Sequence, residues 1–467
     1  MFYPWWYVSG LTAPMLIAII AVVHVTVSHY AVGGGILLAM ENRHAIKIKN
    51  EKLREYWKKH AKFFVLLTVV FGAITGVGIW WTIGLASPLA TEMLIRIFVF
   101  GWAIEWVFFI IELVAAFAFY YYWDRLPSKT HAMIGGIYAI AAWISLVLIT
   151  GITAFMLNID GVLGDWSKTG DFWLAFINVQ WLPQTIIRTG VALMFGTLYV
   201  YAHAAIVLRN DETTRVQVVR RMNKPFFCGL ILVLAGFVGW FINLPEVSRV
   251  ILERSAALNV LSGLFVAAIF LIFILTVLGP MRDPKTINGG FAVCMLLFGI
   301  AALSTGEFVR EAVRKPYIVD RVVLGNQILV DDVKRFQKTG FLENGYWTSL
   351  ALQKRYPQLW QSEKEDRFDE NGLLHYPKEE RLAAGRMIFM HHCNNCHAAE
   401  HGLSAIGPLV YGKTQQSLIQ TVKHLNNVIM MPPWCGNDAE ANLLAEYLLT
   451  LAPSAYPTEE KKGNVSP

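Results

Sequence analysis

Charged residues are scarce in this 467-residue sequence, where Asp, Glu, Lys and Arg together make up 16%. Hydrophobic residues make up 55% and the mean hydropathy is +0.44, which excludes an ordinary water-soluble protein. Cysteine is scarce too, and five residues are too few for a disulfide scaffold. The net charge of +6 is small, and its basic residues lie between apolar segments, which argues against nucleic-acid binding. Most of the chain is therefore expected in a lipid bilayer.

Eight apolar runs are long enough to cross about 30 Å of hydrocarbon, which takes about 20 helical residues. They cover residues 11–40, 61–86, 93–122, 131–157, 181–208, 225–244, 257–279 and 289–310. No basic segment precedes the first run, so we expect no cleavable signal peptide. The predicted fold class is all-α, with an eight-helix transmembrane bundle followed by a polar tail.

The distribution of Lys and Arg predicts the orientation of the bundle. Loops 41–60, 123–130, 209–224 and 280–288 carry 16 of these residues, whereas the loops on the opposite side carry 3. Because short cytoplasmic loops are enriched in Lys and Arg, the first set is predicted to be cytoplasmic. Eight crossings then leave the N-terminus and the tail in the periplasm of a bacterial inner membrane.

The tail contains Cys393, Cys396 and His397 in the pattern Cys-x-x-Cys-His. This is the attachment signature of c-type haem, in which two thiols bond to the porphyrin and the histidine ligates iron. A zinc half-site or a redox dithiol is the alternative, but zinc would need a second Cys or His pair at similar spacing. Neither Cys435 nor His401 supplies one, so the motif predicts one covalent haem c.

The sequence around the motif resembles a class I cytochrome c, from Gly385 and Phe389 through to Met431 and the prolines after it. That family places its sixth iron ligand at a Met-Pro following the ligand histidine. The resemblance implies Met431 as this ligand, with Met430 as the alternative. A thioether ligand would raise the redox potential and suit electron transfer. Cys435 departs from the family pattern and has no predicted role.

Ionisable residues within the apolar runs are expected to have a function or a partner, because inserting each at a helix centre costs about 2.5 to 3.5 kcal/mol of free energy. His24 and His29 of the first run lie about 140° apart around a helix, so they are not expected to share a partner. Glu105 and Glu112 of the third run are seven residues apart and share a helix face. Singly, each could be a packed or ion-paired residue. Together with Glu311 they favour buried haem, which needs an iron ligand and partners for its propionates.

The eight apolar runs, over roughly residues 10 to 320, resemble subunit I of the cytochrome bd family of quinol oxidases. His24 is followed nine residues later by Gly33, as in the family's first helix, and the resemblance implies a ligand at the oxygen-reducing haem pair. Glu112 and the Trp123–Leu126 segment are similar to the third helix, where two glutamates serve haem binding and proton delivery. Glu105 is one residue closer to Glu112 than the family pattern has it.

The end of the eighth run carries the resemblance to about residue 320. Glu311–Tyr317 is similar to the family's E-x-G-R-Q-P-W segment, which implies that Glu311 ligates high-spin haem b. Arg314 of the same segment and His29 are further candidates for haem contacts. The glycines Gly33–Gly35 indicate close packing of a helix or a haem.

Three departures from the family shape the functional prediction. The outer end of the fifth run, Trp181–Gln184, lacks the histidine that ligates low-spin haem b, and His203 is predicted at the cytoplasmic interface instead. The seventh run has no methionine, since Met281 follows it. The loop between the sixth and seventh runs is too short for the quinol-binding loop, and a cytochrome c domain replaces the ninth helix.

These patterns predict a membrane oxidoreductase that passes electrons between periplasmic haem c and buried haems. It would reduce oxygen with cytoplasmic protons delivered past Glu112 and Glu105. The buried cofactors would be one or two haems b, or haem b with haem d. The alternative is an electron relay between quinol, or a membrane partner, and haem c. The expected partners are the bilayer, a second bd-like subunit, other cytochrome or redox subunits and a periplasmic donor or acceptor.

The predicted domains follow the change in composition along the chain. A membrane haem domain covers residues 1–317 and a periplasmic connector covers 318–380, with helical patches at 333–338 and 346–355. The cytochrome c domain covers 381–453. A disordered tail rich in Pro, Lys and Glu covers 454–467.

Overall fold

The structure is a computed structural model that describes residues 7–345, 348, 354 and 376–453. Of the predicted helical patch 346–355, only Thr348 and Lys354 are described, so this prediction lies outside the described residues. The tail 454–467 also lies outside them. The described chain forms two compact units. The larger contains Ile17–Gly84 and Pro88–Arg321, and the smaller contains the N-terminal segment up to Leu16, Leu85–Ser87 and the chain from Val322 onward.

Among the described residues, eight helices are long and apolar enough to span a membrane, which confirms the predicted fold class. The spans are Ala13–Lys47, Glu51–Ala86, Val99–Tyr121, Ser128–Phe155, Trp181–Val207, Glu212–Ile242, Ala256–Met281 and Gly289–Ala312. The second contains a π-helical segment at Leu66–Phe71, and the seventh ends in another at Val277–Met281. Each span matches one of the eight apolar runs.

Three spans begin several residues before or after the start of the corresponding apolar run. In two of them the helix starts earlier with amphipathic turns, and in the third a break in the helix delays the start. The second begins at Glu51, ten residues early, since Asn50 caps it and its charged first turns bury Tyr56 and Trp57. The sixth begins at Glu212, capped by Asp211. The third begins late because the chain breaks at Phe98, after a separate helix Pro88–Ile97.

The fifth span is the central helix of the bundle, because 67% of its apolar window is buried, against 11 to 28% for the others. Glycines let its neighbours approach. A Cβ on Gly33 of the first span would collide with the Ala192 carbonyl, and a Cβ on Gly190 would lie 2.5 Å from the Gly229 carbonyl of the sixth span. Small residues therefore set the closest helix contacts, as is common in membranes.

Short elements complete the larger unit. Between the fourth and fifth spans, strands Asp160–Gly161 and Gly164–Asp165 form an antiparallel pair. The remaining elements are helices Trp166–Thr169, Phe172–Phe176 and Glu246–Arg254, a 3₁₀ turn at Pro284–Thr286 and strand Tyr317–Val319.

The smaller unit is mostly helical around a core that includes Phe389 and Leu444. Its elements are strand Val323–Leu324, 3₁₀ turns Val330–Asp332 and Leu425–Asn427, and helices Val333–Thr339, Phe341–Asn344, Lys378–His392, Gly407–Val410, Gln415–Lys423 and Asp438–Thr450. The first of these helices confirms the predicted patch at 333–338.

The N-terminal segment contacts the loop that follows the Cys-x-x-Cys-His motif, within the same compact unit. The Ser9 hydroxyl donates a hydrogen bond to a Glu400 carboxylate oxygen at 2.8 Å. Gly10 has φ +75° and lies so close to His401 that a Cβ would come within 3.1 Å of the imidazole. Glycine is therefore required here for both the backbone conformation and the contact.

Candidate functional site

The Cys-x-x-Cys-His motif forms a tight turn at the end of helix Lys378–His392. The amide groups of Cys396 and His397 both donate to the Cys393 carbonyl, at 3.0 and 2.8 Å. The Cys393 amide in turn donates to Phe389 on the helix, at 2.9 Å. The two thiols and the imidazole are thereby held on a single turn anchored in the core.

The surroundings of this turn fit a haem. The Asn394 side-chain oxygen and the Trp434 indole nitrogen are buried and have no partner among the described residues, so polar groups are available to a ligand. Burial lowers the pKa of His397, which favours the neutral imidazole that ligates iron.

The predicted sixth ligand lies on a loop between the last two helices. Met431 is half-buried, and its amide donates to the Val428 carbonyl at 2.8 Å. Met430 is half-buried as well, so burial does not separate the two candidates. Cys435 is fully buried and its thiol donates to the Pro433 carbonyl at 3.1 Å, which makes it a packed residue of this loop.

In the membrane unit, Glu105 and Glu112 of the third span both meet Ser145 of the fourth span. The Ser145 hydroxyl donates to the Glu105 carboxylate at 2.9 Å, and Glu112 is a further neighbour of this hydroxyl. One carboxylate oxygen of Glu112 is buried with no hydrogen-bond partner among the described residues. The acids thus share a face, and Ser145 joins them. Sequence reasoning missed Ser145, a single hydroxyl within an apolar run.

The two histidines of the first span have different neighbours. His24 Nδ1 lies 3.1 Å from the Thr75 hydroxyl of the second span, and a Cβ on Gly76 would come within 3.2 Å of its ring. His29 Nδ1 donates to the Val25 carbonyl of its own helix at 2.8 Å. His24 therefore faces the second span and His29 does not share its hydrogen-bond partner.

His29 lies instead near a charged group in the fifth and eighth spans. Its charged neighbours are Arg188 and Glu307. Glu307 also pairs with Arg310 one turn along the eighth span, at 2.7 Å. Arg188 was missed in the sequence because it stands alone in the apolar fifth run.

Glu311 and Arg314 form an ion pair at the end of the eighth span, and Lys315 lies 3.8 Å from the same carboxylate. Arg314 is only 7% exposed and donates to the Ile318 carbonyl at 3.1 Å. Its Nε is buried with no partner among the described residues, so it retains a donor for an anionic group. A haem propionate is an anion of this kind.

Two models of known protein families match this chain, one in the transmembrane helices and one in the C-terminal region. The family model described as cytochrome bd terminal oxidase subunit I matches residues 13–243. The model described as cytochrome c oxidase, cbb3-type, subunit III matches residues 380–448. The chain joins a cytochrome bd subunit I domain to a cytochrome c domain. It is therefore a multi-pass membrane protein of haem-based electron transport, and it binds haem c.

A solved structure shares the fold of the cytochrome bd domain. The bd oxidase from Geobacillus thermodenitrificans aligns with a TM-score of 0.57 at 14% sequence identity. The alignment covers 67% of this chain and 89% of that one. No curated protein matches the sequence.

The cytochrome bd domain differs from one expectation. Met281 does not follow the seventh span but is its last residue, because a π-helical segment with a kink at Gly279 continues the span through Pro280. His203 lies one turn before the end of the fifth span, where it was predicted at the cytoplasmic interface, and its ring packs among aromatic rings, 4.6 Å from the ring of His60. His60 was missed because it follows Lys58 and Lys59, which suggested a loop.

Proposed function

We propose that this protein is a terminal oxidoreductase that takes electrons from a periplasmic donor through haem c and reduces oxygen at haems buried in the bundle. The supporting observation is the Glu105–Ser145–Glu112 group. Two acids beside one hydroxyl, one of them with a buried oxygen lacking a partner among the described residues, are costly in a membrane unless they carry protons. A simple electron relay would consume no protons there.

Six residues are the candidates to hold the haems. His397 and Met431 would ligate haem c, whose attachment is through Cys393 and Cys396, and His24 and Glu311 would ligate haem in the membrane. Bound haem would supply the electron storage and the site where oxygen reacts. The membrane cofactors would be two haems b, or haem b with haem d.

The side chains of the chain itself would handle protons and charge. Reduction of one O₂ to two water molecules takes four electrons and four protons. Ser145 can pass a proton between Glu105 and Glu112 because its hydroxyl both donates and accepts. Arg314 would pair with the Glu311 carboxylate and offer its remaining donor to a propionate.

The short loop between the sixth and seventh spans supports haem c, and not quinol, as the electron donor to the membrane haems. It runs only from Asn243 to Ser255, and most of it is the helix Glu246–Arg254. This leaves little chain for a quinol site, which favours haem c as the entrance for electrons. We place the cytochrome domain in the periplasm of a bacterial inner membrane, in a complex with a second bd-like subunit and further redox subunits.

Carbon monoxide tests the oxygen chemistry. The reduced-minus-reduced-plus-CO spectrum of the purified protein should show a CO-reactive high-spin haem besides six-coordinate haem c. The pyridine haemochrome spectrum of the extracted cofactors would identify haem b or haem d. A protein with only six-coordinate, CO-insensitive haems would instead be a relay between quinol, or a membrane partner, and haem c.

The variant His24→Ala tests the ligand assignment. It should lose one membrane haem and the CO difference signal while haem c remains at one per chain. His131→Ala is a matched control, since His131 is a buried histidine of the fourth span whose ring contacts Asn42 and Phe119. Unchanged haem content in His24→Ala would refute the assignment.

A further inference from the structure

Residues 7–16, the N-terminal segment, pack against the loop after the Cys-x-x-Cys-His motif at more points than the contacts of Ser9 and Gly10 described above. A Cβ on Gly402 would come within 2.3 Å of the Gly10 carbonyl oxygen, so the two backbones touch. The Ser404 hydroxyl donates to the Met15 sulfur at 3.5 Å. All of these residues belong to the smaller compact unit.

The loop that the N-terminal segment contacts is tied to the haem ligand. Ala398 directly follows His397, and its amide donates to the Ser404 carbonyl at 3.0 Å. The Ala398 carbonyl accepts from the Ile406 amide at 2.9 Å. Residues 398–406 therefore fold back as one loop, and a contact with this loop also bears on the position of His397.

The N-terminal segment also reaches the turn between the two haem-binding cysteines. Asn394 directly follows Cys393 and is 5% exposed. It borders a cavity of about 10 Å³, whose other walls are Val8, Leu11, Thr12, Ala13 and Leu16. A cavity of this size holds at most about one water molecule. The N-terminal segment is therefore packed against Asn394 with almost no free space.

The thioether bonds fix which edge of the haem lies here. Because Cys393 and Cys396 bond to the porphyrin, the edge that carries these bonds has to lie beside the attachment turn. Electron tunnelling slows steeply with distance, and it is faster through packed atoms than across an empty gap. Residues packed on this turn are therefore well placed to carry an electron away from haem c.

The N-terminal segment continues into the helix that carries His24. Its last residues form the first turn of the span Ala13–Lys47, and His24 lies eight residues after Leu16, about 12 Å along the helix axis. Leu16, Ile20 and His24 are spaced four residues apart, so they lie on one helix face. The end of the second span, which His24 faces, belongs to the smaller unit as well, at Leu85–Ser87.

A purely mechanical anchor explains these contacts less well. An anchor would serve anywhere on the cytochrome c unit, whereas the N-terminal segment packs on the turn that holds both cysteines. The connector is the competing path for electrons, since it follows the span that carries Glu311. It too contacts the cytochrome c unit, where the Gln337 side chain donates to the Trp434 carbonyl at 2.9 Å.

We infer that the N-terminal segment is the electron outlet of haem c, from which electrons pass along the first span to the haem held by His24. The inference rests on the proposed function, which places a haem at His24. In each transfer, ferrous haem c loses one electron and becomes ferric, and a ferric membrane haem gains that electron and becomes ferrous. The segment contributes by holding Leu11 and Leu16 against Asn394.

Paired valine variants of the full-length, haem-loaded protein test the outlet. Gly10→Val places a side chain against His401 at a backbone φ of +75°, so it should detach the N-terminal segment. Gly412→Val is the matched control, because Gly412 has φ +73° in the same unit but a Cβ there meets no described atom within 4 Å. Leu11→Ala is a milder variant that removes packing atoms beside Asn394 without backbone strain.

A laser flash on a ruthenium polypyridyl complex injects one electron into haem c, and absorbance follows the arrival of this electron at the membrane haems. Gly10→Val should lose the fast phase of transfer, Leu11→Ala should slow it, and Gly412→Val should keep the wild-type rate. Hydrogen–deuterium exchange of residues 7–16 should rise in Gly10→Val. The content and midpoint potential of haem c should stay at wild-type values in all three variants.

A wild-type fast phase in Gly10→Val, with faster exchange of residues 7–16, would overturn the outlet. So would a shifted haem c potential that accounts for the slower transfer, because the segment would then act on the haem and not on the path. If Gly10→Val fails to incorporate haem c or to release the segment, Leu11→Ala decides, and a wild-type rate in that variant overturns the outlet.

Gln337→Ala tests the competing path. A retained fast phase in this variant supports the outlet, whereas a fast phase lost here and retained in Leu11→Ala would move the outlet to the connector.

The two proposals fail in different ways. If the wild type consumes no oxygen, yet flash-injected electrons reach a membrane haem faster in the wild type than in Gly10→Val, the outlet stands and the oxygen chemistry falls. If oxygen consumption and the fast phase both persist in Gly10→Val and Leu11→Ala, the oxygen chemistry stands and the outlet falls.

Discussion

Two carboxylates of this protein differ in how fully they are hydrogen-bonded. In the cytochrome c unit, Glu440 is 1% exposed and accepts hydrogen bonds from the amides of Phe341, Leu342 and Asn437, at 2.8, 2.6 and 3.0 Å. Glu440 therefore links helix Phe341–Asn344 of the predicted connector to the last helix, Asp438–Thr450. In the membrane unit, Glu112 keeps an oxygen without a partner among the described residues. Unsatisfied buried polar atoms are rare in folded proteins, so the Glu112 oxygen is the one that calls for a partner or a function.

Glu440 should make the stability of the cytochrome c unit depend on pH. Burial outweighs the three amide donors and raises the pKa of Glu440 from 4.5 to about 7. The folded state therefore binds a proton that the unfolded state has released between these values, and stability falls as pH rises through this window, by at most about 3 kcal/mol. Glu440→Gln should remove this contribution.

The measurement is thermal unfolding of the full-length protein, followed by haem c absorbance between pH 5 and pH 8. The wild type should lose stability relative to Glu440→Gln as pH rises. Parallel pH curves for the two proteins would show that Glu440 does not titrate in this range.

Met431 can be tested separately from folding. Replacing it with Ala should lower the haem c midpoint potential, because the thioether ligand favours reduced iron. Met430→Ala is the matched control on the neighbouring residue and should leave the potential near its wild-type value. The reverse pattern in a redox titration would move the ligand to Met430.

At the scale of elements, apolar runs predicted all eight spans, since bilayer thickness dictates their length. They misplaced the starts of the second and sixth spans, because amphipathic turns continue a helix beyond the hydrocarbon and dilute the apolar signal. The motifs predicted the attachment turn and the acid pair. They could not predict Ser145, Arg188 or the His60–His203 contact, because those depend on which helix faces meet.

Close contact between the first and fifth spans is open to a direct test. Gly33→Val would force a side chain into the Ala192 carbonyl and should destabilise the bundle by about 1 to 3 kcal/mol. Membrane haem should be lost at a lower temperature, as measured by the Soret absorbance of the purified protein during heating.

Gly136→Val is the matched control, because a Cβ at Gly136 has no described atom within 4 Å. It should unfold at the wild-type temperature. Equal stability of the two valine variants would mean that Gly33 is not a close helix contact.

For the whole molecule, the predicted orientation places electron input and proton input on opposite sides of the membrane. In that orientation the loops bearing 16 Lys and Arg residues would face the cytoplasm, and the cytochrome unit would face the periplasm. Reducing oxygen with electrons from one side and protons from the other would add to the transmembrane potential.

Reporter fusions check this orientation. Alkaline phosphatase, which is active only outside the cytoplasm, should be active when joined after Val319 and inactive when joined after Asn210. The complementary pattern is expected for green fluorescent protein, which does not fluoresce when exported unfolded. Active phosphatase at Asn210 would invert the predicted topology.

The hydrogen bond between Ser9 and Glu400 joins positions 391 residues apart. Residues 7–16 precede most of the first span in the sequence, whereas the loop they contact follows all eight spans. This contact can therefore form only when the two segments are on the same side of the bilayer, as they are in the predicted topology. A variant with an odd number of spans would separate the two segments and lose the contact.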